Sequence, residues 1–367
     1  MKKIMIFLII IVTVIFLFIL LDGSFLPQKY SGKWSAEGID ESEYDISKII
    51  NYAIGAPSSH NMQPWLVKIV DGSNIELYVD MSKQLPVVDK ENNQLLMSQG
   101  TFIEKFSQGA EEFGYKVNVE YSDVQELGSR PLMAAISIEK ISSIDIDTIS
   151  SGTITSDDRK AECNFDKLLI DIMSEYDGFS YQYINAEADI KKIQGLLLQG
   201  TIAEARDSEA TQELLDVFRW TEWQKNQWRY GLSLNTIPGI LKPFVQPIMK
   251  ISSKNIEAFG ESSIKMFEDR LEKEIGYILI KKDEPENIDY IFAGEIYQKL
   301  SSDAVGYALR PAMQVLEEFE AMDDINAEFA QKYEADGEVL IIIGIQPNDG
   351  TSTASNPRHT LQDIIID

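Results

Sequence analysis

The chain of 367 residues is poor in the side chains that most metal-dependent and hydrolytic chemistry needs, with one cysteine, Cys163, and two histidines, His60 and His359. A single cysteine excludes an intramolecular disulfide and a thiolate metal cluster. Two histidines, with no HExxH motif and no paired CxxC, leave a zinc site short of ligands. No GxSxG elbow accompanies them, so a serine-hydrolase triad has little support. Positive charge is also scarce, with 33 basic residues against 59 acidic ones and a formal net charge of −26. Nucleic acid needs a basic surface, so it is excluded as a partner. The acidic balance reads as a well-solvated surface.

What is present begins with a long apolar run. After Lys2 and Lys3, residues 4–21 read "IMIFLIIIVTVIFLFILL", broken only by Thr13. As a helix this stretch spans about 27 Å, enough for a bilayer core. It is longer than the usual apolar part of a signal peptide, and "DGSFLPQKY" behind it makes a poor cleavage site. We therefore expect an uncleaved single-pass anchor, with a cleaved signal as the alternative. Two lysines and the terminal amine precede the run, while Asp22, Lys29 and Lys33 follow. By a thin margin this predicts the amino terminus inside and the soluble part outside.

Residues 22–40, with Gly23, Pro27, Gly32 and Gly38, read as a linker. The remainder is long and apolar enough for two domain-sized units. "ESEYDISKIINYAIGAP" carries a helical apolar face at 46, 49, 50, 53 and 54. "WLVKIV" and "NIELYVD", joined through Asp71-Gly72, read as a hairpin. A helix at about 92–113, a strand at 116–121 and a strand at 131–140 follow. Ser, Asp and Gly crowd 142–158, the expected boundary. Beyond it we expect helices near 164–175 and 186–205 and a helix-rich stretch to about 275. A strand at 276–282, a helix near 288–306 and a strand at 338–346 close the chain. "GTFIEKFSQGA" (100–110) and "GEIYQKLSSDA" (294–304) share Gly, Lys and Ala at one spacing, a faint internal repeat.

Between the first helix and the hairpin lies "APSSHNMQPW", residues 56–65. Ser58, Ser59, Asn61 and Gln63 supply donors and acceptors, and Pro57 and Pro64 restrict the loop's shape. Such a segment is either a ligand loop on a rigid scaffold or an ornate turn.

This stretch resembles the "PSSxNxQPW" signature of the nitroreductase superfamily of FMN-dependent oxidoreductases. Residues 81–115, 292–309 and 341–365 resemble its double-length, Acg-like branch, in which one chain carries two nitroreductase-like halves. The resemblance covers most of residues 40–367. It implies an α+β fold of two fused halves, residues 41–150 and 151–367, forming an internal pseudo-dimer with helices flanking antiparallel or mixed sheets. It also implies bound FMN, NAD(P)H as a possible electron donor, and nitroaromatic or quinone-like acceptors. Ser58, Ser59 and Asn61 would approach the flavin across the interface between halves, with Gln63 and Trp65 supporting the loop. Arg358, in "NPRHTLQDI", would contact the FMN phosphate. "TITSDDRKAE" keeps Thr155 and Arg159 of an arginine-rich stretch but lacks its earlier arginine. Arg159 is thus a phosphate ligand or a surface ion pair. Gly231, in "RYGLSL", would bring its backbone amide to flavin N5, or would cap a helix. "FRWTEWQKNQWRY" (218–230) is a buried helix or a lid over the flavin. The alternatives to an oxidoreductase are a flavin-storage protein and a membrane-tethered scaffold whose site has decayed.

Overall fold

Strands with two different hydrophobic patterns sort into two sheets of different character. In the computed structural model, residues 2–23, 41–124, 127–141, 163–233, 253–317, 319–348 and 356–367 are described, together with Leu26 and Ile248. The expected linker, the expected boundary at 142–158 and Arg159 lie wholly or mostly outside these residues. Helix α1 (Lys2–Asp22) is long and apolar enough to cross a membrane, and its apolar window is not buried by the rest of the described chain, although Asp22 at its end is.

The first sheet holds β1 (Trp65–Asp71), β2 (Asn74–Val79), β3 (Tyr115–Tyr121) and β4 (Leu132–Lys140) in the antiparallel order β1-β2-β4-β3. The β1–β2 turn forms where expected, with the Ser73 N–H and the Asn74 amide donating to Asp71 Oδ1. These strands alternate apolar and polar residues, so one face is buried and the other half-exposed. The buried face, with Trp65, Val67 and Leu77, packs into one core with Ile46, Ile49 and Ile50 of α2 (Tyr44–Ala53). Phe102 and Phe106 of α3 (Asn93–Glu112) join them.

The second sheet follows α4 (Phe165–Met173) and holds β5 (Phe179–Ile184), β6 (Gly276–Lys282), β7 (Tyr307–Pro311) and β8 (Glu338–Pro347). Its order, β5-β6-β8-β7, repeats that of the first sheet strand for strand, again antiparallel. Between β5 and β6 run α5 (Glu187–Arg206), α6 (Ser208–Val217), α7 (Glu222–Trp228) and α8 (Ser253–Leu271). "GYILIKK" and "EVLIIIGIQP" are almost continuously apolar, and their strands are covered on both faces. Ile278, Ile280, Ile341 and Ile343 join the core shared with the first sheet. Tyr277, Leu279 and Ile342 face Leu196, Leu197, Phe267 and Phe329 on the other side. Edge strands β5 and β7 are additions to the expected set. "FSYQYI" alternates as a half-buried strand should, whereas "YALRP" is too short to announce itself.

Helix α9 (Asn287–Asp303) crosses α3 at unusually close range. A Cβ on Gly100 would lie 1.8 Å from Ile291 O, and one on Gly294 would lie 2.0 Å from Met97 O. These two glycines are the first residues of the repeated stretches, and each meets the other's helix. After β8 and α10 (Asp323–Tyr333, which precedes it in sequence), the chain returns to the first sheet. There α11 (Leu361–Ile364) leads Ile365 into a parallel bridge with Val67, and the Ile366 N–H donates to Val67 O at 2.9 Å.

The helix crossing sets a test. Gly294→Ala should destabilise the chain by about 2–4 kcal/mol, because backbone must move to admit the methyl group. Gly195→Ala, on α5 with nothing within 4 Å of the added Cβ, should stabilise it by about 0.5–1 kcal/mol through helix propensity. Chemical denaturation of both variants beside the parent separates crowding from a general intolerance of substitution.

Candidate functional site

The loop between α2 and β1 is held in a costly conformation. His60, Asn61 and Gln63 have φ of 44°, 55° and 53°, in the left-handed region that non-glycine residues avoid. Many hydrogen bonds hold it there. The Gln63 N–H donates to Ser58 Oγ at 2.9 Å, and the Ser59 hydroxyl to Gln94 Oε1 at 2.9 Å. The Thr101 hydroxyl donates to Pro57 O at 2.6 Å, and the Gln99 amide to Pro64 O at 2.7 Å. Three of these four partners sit on α3, so the loop is fastened to the helix that carries the Gly100 crossing.

Two buried amides then tie distant segments to the loop. The Asn61 amide donates to Gly231 O at 2.9 Å and to Pro357 O at 2.8 Å. Gln63 donates to Arg229 O at 3.1 Å and Pro357 O at 3.2 Å, and accepts from the His359 N–H at 2.9 Å. Gly231 returns its own N–H to Asn61 O at 2.8 Å. Its φ of +89° suits glycine, and a Cβ there would lie 2.2 Å from Val217 O. Arg229 rather than Gly231 is the left-handed residue that ends α7. Arg358 donates from Nη1 to Ala56 O at 2.6 Å.

These segments border a cavity of about 470 Å³ between the loop, α3, α9 and strands β7 and β8, within the size range of small-molecule and cofactor sites. Of the expected residues, Ser58, Ser59, Asn61 and Arg358 line it. Gln63 and Gly231 brace the loop from behind, and Arg159 is not among the described residues. Arg270 and Arg310 line it as well, and sequence reasoning did not anticipate them. Arg310 lies in β7, the strand too short to recognise, which is why its arginine went unmarked. Trp220, expected in a buried helix or a lid, is 3% exposed, packing on Phe218 and Phe259. Trp223 and Trp228 are 50% and 39% exposed, so the aromatic patch divides between core and surface.

The cavity is electrostatically unfinished. His60 Nδ1, Arg310 Nε, Gln314 Oε1 and Glu317 Oε2 are buried without a hydrogen-bond partner among the described residues, and all four residues line it. Buried polar groups in native proteins are nearly always paired, so four around one cavity point to a missing polar ligand. Burial lowers His60 to about 4 and Arg358 to about 10, so the imidazole is neutral and the guanidinium still charged at neutral pH. No carboxylate pairs with Arg358 among the described residues. Glu317 is pushed well above the carboxylate range, first by burial and then by Glu204, Asp89 and Glu213. Held protonated, it does not cancel Arg310 and Arg358, whereas Arg270 is already paired with Glu274 at 2.8 Å. The net field in the cavity favours an anion.

No protein-family profile matches the chain. Among curated proteins, it is similar to "Putative NAD(P)H nitroreductase Rv3131" of Mycobacterium tuberculosis strain H37Rv. The two are 22% identical over 334 residues, 87% of this chain and 90% of that one. "Putative NAD(P)H nitroreductase MT3217" of strain CDC 1551 matches to the same extent. "Probable NAD(P)H nitroreductase PigM" of a Serratia strain is 30% identical over 95 residues, 26% of either chain. The chain is thus a distant relative of proteins named as nitroreductases, with an α+β fold of two four-stranded antiparallel sheets.

Two measurements follow from this geometry. Gln63→Ala removes the acceptor of the His359 N–H, so hydrogen exchange at His359 and Gly231 should accelerate at least tenfold while the core strands stay protected. Unchanged exchange would show that the amides do not hold the segments together. The raised carboxyls carry a sign. Stability from a group with a raised folded pKa is complete below the ordinary carboxylate value and lost as pH climbs through the folded one. Asp89, raised to about 6, and Glu204, raised to about 7, act with Glu317 in this sense. Asp89 has lost its share by about pH 6 and Glu204 by about pH 7, while Glu317, raised further, goes on losing above that; unfolding free energy should therefore decline from pH 6 to 8, and Glu317→Gln should reduce the decline.

Proposed function

We propose that the protein is a membrane-anchored, FMN-dependent oxidoreductase of nitroreductase type, binding one FMN between two fused halves, residues 41–150 and 151–367. The observation that carries this reading is the cavity itself. The signature loop, Arg358 and two further arginines converge there around polar atoms that lack partners. The matching strand order of the two sheets and the reciprocal glycine crossing support an internal pseudo-dimer. The nitroreductase names of the distant relatives support the reaction class.

The residues present fit FMN. Arg358 would hold its phosphate, a dianion suited to a guanidinium fork, and Arg159 would add to it. Ser58 can donate its proton, since its oxygen already accepts from Gln63. Asn61 spends both amide protons on the clasp and offers its carbonyl oxygen. Bound FMN would supply the two-electron chemistry, from NAD(P)H or another donor to a nitroaromatic or quinone-like acceptor. The chain's own work is to orient and to exclude water. The strained, fastened loop is pre-organised, so little of its freedom is lost on binding. A neutral His60 and a protonated Glu317 keep the arginine charge available. Helix α1 would tether the body to the bilayer, with the amino terminus inside and the body outside by the charge bias at its ends.

The test is visible absorbance of the purified full chain in detergent, titrated with FMN. Saturable uptake is expected, and Arg358→Ala should weaken it about 10- to 100-fold, the loss of a charge-assisted contact. A chain that stays colourless overturns the cofactor assignment. Bleaching by NADH or NADPH, followed by recolouring with an acceptor, separates an oxidoreductase from a storage protein.

A further inference from the structure

A second and larger cavity, about 960 Å³, adjoins the first. The two share His60, Leu232, Arg270, Arg310 and Gln314, which form the wall between them. Elsewhere, among the described residues, Leu214, Phe218, Trp220, Phe259, Met266 and Phe267 supply its apolar lining, and Thr201, Glu204, Ser262, Ser263, Asp269, Lys273 and Gln346 its polar lining. It thus joins a polar end, at the shared wall, to a mixed body whose aromatic and aliphatic residues can take an apolar tail.

We propose that this cavity binds a lipophilic quinone drawn from the bilayer, its head at the shared wall and its tail along the aromatic side. This names the acceptor class for the oxidoreductase reading above and rests on it. The polar end suits both oxidation states of such a head. Among the described residues, Arg310 Nε is a donor without a partner, for a quinone carbonyl, and Gln314 Oε1 is an acceptor without one, for a quinol hydroxyl. A small soluble nitroaromatic would fill only the polar end. A tail adds affinity at roughly fourfold for each methylene it buries.

The position of the anchor supports a bilayer source. At the end of α1, a Cβ on Gly23 would lie 3.0 Å from Trp223 Cβ, so the anchor meets α7 there. Trp220, three residues earlier, lines the cavity. Trp223 and Trp228 pack edge to face with centroids 6.0 Å apart and stay substantially exposed. Tryptophan in that setting is typical of a membrane–water interface. Met266, 59% exposed, belongs to the same cavity wall.

The experiment compares two benzoquinones, one with a decyl chain and one with only a methyl group, on the full-length protein in one detergent. Binding is read by quenching of tryptophan fluorescence, and FMN uptake by absorbance on the same samples. The decyl compound should bind saturably and at least tenfold more tightly than the methyl compound. Trp220→Phe should remove part of the quenched emission. Met266→Glu, an exposed position that tolerates charge, should weaken the decyl compound at least tenfold and leave FMN uptake unchanged. Equal binding of the two quinones, or equal binding to the parent and Met266→Glu, overturns the proposal. If FMN is retained in that case, the cofactor reading stands. Tail-dependent binding in a chain that takes up no FMN supports the cavity and overturns the cofactor reading.

Discussion

The structure depends on one contact, the crossing of α3 and α9 at Gly100 and Gly294. Each glycine presses on a carbonyl of the opposite helix, a distance no side chain permits. Because both helices come this close, the sheets on either side share one core, from Trp65 and Val67 to Ile278 and Ile343. The same crossing sets the cavity. Ser98 and Thr101 of α3 and Gly294 and Tyr297 of α9 line it together. A bulkier residue at either glycine would separate the walls as well as the core.

Around that crossing the chain uses side-chain amides where a sheet would use backbone. Asn61 and Gln63 join residues 229–231 and 357–359, which lie far from them in sequence, without any shared strand. Amides suit this role because each carries donors and an acceptor and no charge, so burial costs little once every bond is made. The left-handed conformations of the loop are the cost of aiming both amides inward. Such strain persists only where surrounding bonds over-determine it, and here α3 supplies them.

Charge is arranged by the same logic of burial. Three arginines line the cavity, yet the acidic groups nearest Glu317 are held toward their neutral forms by burial and by one another. A protein with net charge −26 thereby presents a cavity that favours anions. Surface composition argued against polyanionic partners and said nothing about a single buried phosphate. The two statements concern different places, one solvated and one not.

Much of this was legible in the sequence, for local reasons. Alternation in "WLVKIV" and "NIELYV" determined a sheet with one wet face, and the continuous apolar runs of 276–282 and 338–346 determined strands covered on both sides. The apolar run at 4–21 determined a helix long enough for a bilayer, and the density of amides and hydroxyls at 56–65 marked a loop with a purpose. Only the tertiary structure decided that Asn61 and Gln63 are clasps, that Arg270 and Arg310 join Arg358, and that Trp220 and Trp223 face different surroundings. Periodicity reports which side of an element is apolar. It carries no information on which distant backbone carbonyl will need a donor, because that need arises only when two segments meet with their hydration removed.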